Sequence, residues 1–125
     1  DPTALTANRR AFTIMVRNYM FRLVQLFALE KEDRLAELLD YLDEVPDFGA
    51  ILDDYFDEYD DIDSGPEARG PEYFRLGDTD SRLWSVRQII KDPVGDHAYQ
   101  FVATVDLDAS DEAGEVRLSD LRVEY

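Results

Sequence analysis

The sequence predicts an α+β fold in which three N-terminal helices pack on a curved antiparallel sheet of three to five strands. Apolar residues recur at helical spacing in the first half of the chain and alternate with polar residues in the second half. A stretch with two glycines and two prolines, at 63–71, separates the two halves. We therefore expect a single domain over residues 1–125, with helices at about 6–61 and the sheet at about 72–125.

The first predicted helix begins at a threonine cap, Thr3 or Thr6, and runs to about residue 29. Arg10 and Arg17 lie two turns apart on its polar face, and Phe21 projects near them. This pattern is typical of an amphipathic helix with a solvated arginine stripe, and Phe21 also indicates a partner surface. The opposite, apolar face consists of Phe12, Met15, Val16, Tyr19, Leu23, Leu26 and Phe27.

Two further helices are predicted before the sheet. The second runs from about Asp33 to Glu44, because four leucines (35, 38, 39 and 42) give the spacing of a buried stripe. The third follows Pro46 with Asp47 as its N-cap. Its apolar face comprises Phe48, Ile51, Leu52, Tyr55, Phe56 and Tyr59.

The sheet is predicted around a hairpin. Runs at 82–90 and 98–106 alternate in polarity and flank the turn 91–96, with Trp84 and Phe101 as the large residues of the core face. Gln88 is the polar exception on that face. Residues 72–76 fit either a short strand or a helical turn, and 108–114 is expected to be a polar connection.

The last predicted strand, 115–125, changes phase along its length. A bulge at Ser119–Asp120 would reconcile its two halves and bend the sheet. The outer face of the hairpin is predicted to be apolar, and a second copy of the chain is one candidate to cover it. That face would carry Leu83, Ile89, Ala98 and Val102.

The charge distribution is uneven. The net charge is −16, and residues 35–65 carry twelve acidic side chains and no basic one. Such a surface repels phosphate backbones and anionic lipids, so we expect no membrane contact and no direct RNA contact over most of the chain. Cysteine is absent, and no apolar run is long enough to span a bilayer. These features are compatible with a cytoplasmic protein.

No known catalytic or metal-binding motif fits. An EF-hand loop starting at Asp106 fails because Asp111 and Arg117 occupy its glycine and glutamate positions, and one starting at Asp61 fails at Pro66. A single histidine, at position 97, cannot form a usual zinc site without cysteine. Nucleophile elbows and Walker motifs are also missing. The chain alone is therefore predicted to be non-catalytic, with no metal and no cofactor.

Several stretches together resemble a domain of unknown function at the C-terminus of actinobacterial DEAD/DEAH-box proteins of the RNA-helicase type. They are DPTALTANRRAF at 1–12, VRN at 16–18, FR at 21–22, ARGP at 68–71, WSVRQI at 84–89, DPVGDH at 92–97 and VDLDASDEAGE at 105–115. The resemblance implies that the chain is the C-terminal part of a longer, ATP-dependent helicase. It implies no functional residues.

The order of elements is also similar to the cone-shaped fold of the nuclear-transport-factor and ketosteroid-isomerase superfamily, in which helices close over a curved sheet. That similarity keeps two alternatives open, a small-ligand-binding protein or enzyme and a homo-oligomerisation module. If a cavity exists, its candidate lining is Tyr55, Trp84, Tyr99, Phe101 and Asp106, although the same residues can equally form a filled core.

The first hypothesis is a non-catalytic accessory domain that contacts the helicase core of the same parent chain and reaches RNA only through that parent. Its predicted partner-binding residues are the arginines of the first helix, because these are the locally basic part of the chain. They are Arg9, Arg10, Arg17 and Arg22.

Overall fold

The structure, a computed structural model, describes residues 2–78 and 81–125. Three helices come first, and a fourth lies between the last two strands. The elements are α1 (Arg9–Ala28), α2 (Glu32–Leu38), α3 (Phe48–Glu58), β1 (Phe74–Asp78), β2 (Leu83–Ile89), β3 (Gln100–Asp106), α4 (Leu107–Ala113) and β4 (Leu118–Glu124). The α+β class is confirmed.

The four strands form one antiparallel sheet in the order β1-β2-β3-β4. Val86 lies opposite Leu76 on one side and Ala103 on the other, so one face of the sheet turns these apolar residues toward the helices. Between β3 and β4 the register shifts, because Thr104 pairs with Asp120 whereas the next residue, Val105, pairs with Leu118. The predicted bulge is therefore confirmed, with Ser119 as the extra residue.

The core joins the inner sheet face to the buried faces of α1, α2 and α3. Phe27 is fully buried near its middle, where its ring meets those of Phe48, Tyr55 and Phe101 edge to face at centroid distances of 6.3, 6.3 and 5.5 Å. Such edge-to-face contacts add to the free energy that burial alone contributes. The helices are thus held on the sheet by interlocking aromatic side chains.

Helix α1 begins later than predicted. Asn8 caps it by accepting a hydrogen bond from Ala11 N at 3.0 Å, so neither threonine serves as the cap. Thr6 instead binds Asp111 through its backbone N–H (2.8 Å) and its hydroxyl (2.9 Å). Asn is at least as good an N-cap as Thr, and the tertiary contact removes Thr6 from competition. The predicted Asp47 cap of α3 is confirmed.

Helix α2 ends at Leu38, six residues before the predicted end at Glu44. Leu35 and Leu39 are nevertheless fully buried, so the leucine spacing identified the core-facing residues correctly. Acidic side chains at the end of a helix oppose the helix dipole, which disfavours continuation through Asp43 and Glu44. The chain proceeds in turns to α3.

Helix α4 replaces the polar connection expected at 108–114. Asp106 caps it by accepting a hydrogen bond from Ala109 N at 3.0 Å. Gly114 ends it with a φ of 72°, a left-handed conformation that glycine adopts without steric cost. The ambiguous stretch 72–76 divides between a 3-10 turn, Pro71–Tyr73, and the start of β1.

Tyr41 links the helical layer to the bulged strand. Its hydroxyl accepts a hydrogen bond from Leu118 N at 3.0 Å and lies 2.8 Å from the hydroxyl of Tyr19.

Tyr41→Phe is expected to lower the free energy of unfolding by about 1–2 kcal/mol, because Leu118 N–H loses its acceptor. Urea denaturation measures this loss. Tyr19→Phe is the matched control and should cost less, since it spares that acceptor; equal losses would contradict the assignment.

Candidate functional site

A small pocket of about 90 Å³ opens between α1, the 3-10 turn Pro66–Arg69 and the β1–β2 edge of the sheet. Four of its residues come from one side of helix α1. The 3-10 turn, β1 and β2 each supply one more residue. Its lining consists of Ile14, Arg17, Asn18, Phe21, Arg69, Phe74 and Gln88.

Two arginines border this pocket, and each lies over an aromatic ring. The guanidinium carbon of Arg17 is 4.7 Å from the ring centroid of Phe74, and that of Arg69 is 4.8 Å from the centroid of Phe21. Arg69 also donates a hydrogen bond from Nη2 to Asn18 Oδ1 at 2.6 Å. Cation–π contacts of this kind restrict the guanidinium to the face of the ring. The two cations are therefore held in place before any ligand arrives.

Gln88 is the buried polar member of the pocket, with only 2% of its surface exposed. Its Nε2 donates to the backbone carbonyl oxygens of Tyr73 (3.1 Å) and Ile89 (3.4 Å). These bonds explain how an amide is tolerated on the core face of β2, where the sequence had marked it as an exception. They also fix the amide beside the pocket.

Among the described residues, the cations that form ion pairs lie outside this pocket. Arg9, Arg82, Arg87, Lys91 and others form ion pairs with carboxylates. In residues 2–78 and 81–125, no carboxylate lies within ion-pair distance of the arginines at 10, 17, 22 and 69. Helix α1 itself contains no acidic residue. The pocket side of α1 is therefore locally positive on a chain whose net charge is −16.

The four arginines predicted to bind a partner do not form one surface. Arg17 borders the pocket, and Arg10 is exposed two turns before it on the same stripe. Arg22 lies about 140° around the helix from Arg17 at 3.6 residues per turn. Arg9 is engaged within the chain, paired with Asp78 and lying over the ring of Trp84.

The pocket includes residues that sequence reasoning missed. Phe21 was expected to project outward, but it is 2% exposed because Arg69 lies over its ring. Arg69 and Phe74, which belong to a turn and a strand, lie more than forty residues after the end of α1 in sequence. Periodicity within one helix contains no information about such long-range contacts. Only the ARGP match at 68–71 had singled out Arg69.

The aromatic residues proposed to line a cavity pack against other rings. The ring centroids of Tyr55 and Tyr99 are 5.0 Å apart, and those of Trp84 and Phe12 are 5.3 Å apart. Phe101 is fully buried against Phe27, and Asp106 serves as the cap of α4. Burial raises the pKa of Tyr99 to about 12, so its hydroxyl is neutral at physiological pH. The structure thus places the four aromatic residues in the core, whereas the Asp106 carboxylate caps α4.

The outer sheet face is less apolar than predicted. Ile89 and Val102 are each only 8% exposed, while Leu83 remains 43% exposed. Arginine side chains stand beside Val102 in the register of the sheet, at Arg87 and Arg122. Long cationic side chains cover apolar surface with their aliphatic stems. The outer sheet face therefore offers a second copy of the chain less exposed apolar surface than predicted.

His97 has a structural setting. Its backbone N–H donates to Asp92 Oδ2 at 2.8 Å, and its ring meets that of Tyr73 edge to face at 5.1 Å.

No group of three or more His, Cys, Asp or Glu side chains able to hold a metal ion occurs in the part of the chain that the structure describes. None of the helices in that part combines the length and apolar composition of a membrane-spanning helix.

Comparison with known proteins places the chain in a family. A family model described as Domain of unknown function (DUF3516) matches residues 1–123. No curated protein and no solved structure matches the chain. The match extends over almost the whole sequence and includes every residue of the pocket. The chain therefore belongs to the DUF3516 family of domains of unknown function.

Proposed function

We propose that this chain is a non-catalytic accessory domain of an ATP-dependent RNA helicase and that it contacts the helicase core of the same longer protein. The link to a helicase rests on the resemblance of the sequence stretches described above. The observation that carries the interaction role is the arginine surface of Arg10, Arg17 and Arg69, whose charges have no carboxylate partner among the described residues.

The charge distribution favours a protein partner over nucleic acid. A polyphosphate approaching the arginine surface would also meet the field of a chain with a net charge of −16. A protein that presents a few carboxylates to the arginines and otherwise carries little negative charge avoids most of this repulsion. RNA contact is accordingly assigned to the helicase core and not to this domain.

Binding to the separately produced helicase core tests the proposal. We expect a complex by size-exclusion chromatography and calorimetry that weakens with rising salt. The double substitution R17Q/R69Q should weaken it by about tenfold or more, because two charge-assisted contacts are lost. Arg34→Gln, which removes an exposed cation from α2, is the matched control. Absence of a complex at low salt would reject the proposal.

A further inference from the structure

We infer that the pocket between α1 and the β1–β2 edge is a recognition site for a single carboxylate of a partner protein. The occupant is an Asp or Glu side chain, held between Arg17 and Arg69, with an apolar neighbour that covers Ile14. This inference deepens the proposed function, since it names the chemical group that the arginine surface recognises. It does not depend on the identity of the partner.

The donors of the pocket suit a carboxylate. A guanidinium has five N–H donors, and one hydrogen bond, to Asn18, is found for the Arg69 side chain in the described residues. Arg17, which lies over Phe74, lines the same pocket. A carboxylate accepts hydrogen bonds on both oxygens and forms paired bonds with the planar guanidinium fork. Two fixed guanidiniums therefore present more donors than the protein itself uses.

The size of the pocket limits what enters it. The pocket volume of about 90 Å³ is small, and it exceeds what a single water molecule needs. A carboxylate with its adjoining methylene group fits such a space, whereas most of a nucleotide would lie outside it. The site is thus suited to one side chain and not to a whole nucleotide.

The apolar lining indicates that the carboxylate arrives on a protein. Ile14 is 50% exposed at the edge of the pocket, and the rings of Phe21 and Phe74 form its walls. Covering Ile14 with an apolar side chain removes apolar surface from water, which adds to the electrostatic attraction. A free inorganic anion offers no such contact. The combination of two arginines and one exposed isoleucine therefore favours an acidic residue flanked by an apolar one.

Two dipeptides that differ only in charge test the inference. The probes are acetyl-Leu-Glu-amide and acetyl-Leu-Gln-amide, titrated into the ¹⁵N-labelled 125-residue chain and followed by NMR. We expect saturable shifts at the amides of residues 14–21, 69 and 88 with the glutamate probe, and binding at least about tenfold weaker with the glutamine probe. R17Q and R69Q should each weaken binding of the glutamate probe by about tenfold.

Two controls accompany these variants. Arg22→Gln removes a charge from the same helix outside the pocket and should leave binding unchanged. R17K and R69K keep the charge but lose the planar fork, so they should also bind more weakly, and they replace any glutamine variant whose spectrum shows loss of the fold. A spectrum unchanged outside the pocket shows that the fold is intact.

Three outcomes would overturn the inference. They are equal binding of the two dipeptides, shifts located away from the pocket, and tighter binding of inorganic phosphate than of the glutamate probe at the same residues. The proposed function fails separately, if the helicase core does not bind while the dipeptide does. In the converse case, the helicase core binds equally well to the R17Q/R69Q variant and the glutamate probe does not bind. That result would support the interaction with the core but reject this pocket as its site.

Discussion

Phe27→Ala is expected to lower the free energy of unfolding by about 4 kcal/mol, the usual range for a fully buried phenylalanine being about 3–5 kcal/mol. The side chain is 0% exposed and meets three other rings edge to face. These rings come from α3 and β3, so the substitution leaves a cavity between the helices and the sheet. Urea denaturation followed by circular dichroism measures the loss.

Phe56→Ala is the matched control for that substitution. Phe56 lies on α3 at 37% exposure and contacts the ring of Tyr55. Its removal leaves no closed cavity, and we expect a loss of about 1 kcal/mol. Losses of similar size at positions 27 and 56 would contradict the assignment of Phe27 to the centre of the core.

Asp92→Ala is expected to cost about 3 kcal/mol, because this carboxylate organises the turn between β2 and β3. Its Oδ1 accepts hydrogen bonds from the backbone N–H groups of Val94, Gly95 and Asp96, and its Oδ2 accepts from that of His97. Asp92 is only 3% exposed. Removing the acceptor of several charge-assisted bonds leaves partly buried donors without partners, which accounts for the size of the loss.

The Asp92 carboxylate is also expected to make the stability of the fold depend on pH. Burial alone would raise the pKa of Asp92, but its four backbone hydrogen bonds outweigh burial and hold the pKa below the ordinary value. The unfolded state therefore binds the proton more readily. The contribution to stability is fully present above the unfolded pKa of about 3.9 and is lost as the pH falls through the lower, folded pKa.

Denaturation midpoints in urea between pH 7 and about pH 2 test this dependence. Asp92→Asn should reduce the loss of stability on the acid side, because the substituted side chain no longer titrates. Asp60→Asn removes an exposed carboxylate and should retain the acid dependence of the unsubstituted chain. An Asp92→Asn curve parallel to that of the unsubstituted chain would show that another group causes the acid transition.

Much of the fold follows from local pattern. The helical spacing of Phe12, Val16, Leu23 and Phe27 correctly predicted the buried side of α1, and period-two alternation correctly predicted β2 and β3. The phase change in the last strand predicted its bulge. These signals are local, because one buried face imposes a period of 3.6 residues on a helix and of two on a strand.

Element boundaries were less well predicted. Asp106 and Gly114 cap the two ends of α4. The seven residues between them form a short and largely polar helix, which the spacing of apolar residues does not reveal. Helix α2 ends at Leu38, and Tyr41 in the turn beyond it contacts β4 through Leu118 N. Such turns reflect contacts between elements that are distant in sequence.

Residue spacing and composition were sufficient to predict the α+β class, the aromatic core, the acidic surface and the basic character of α1. Long-range contacts in the folded chain are what put Arg69 over Phe21, Arg17 over Phe74, and Gln88 in the lining of the same pocket. The spacing of buried residues in a helix or strand reflects only which side of that element faces the core. The pocket, in contrast, forms where α1, a turn and two strands meet after the chain has folded.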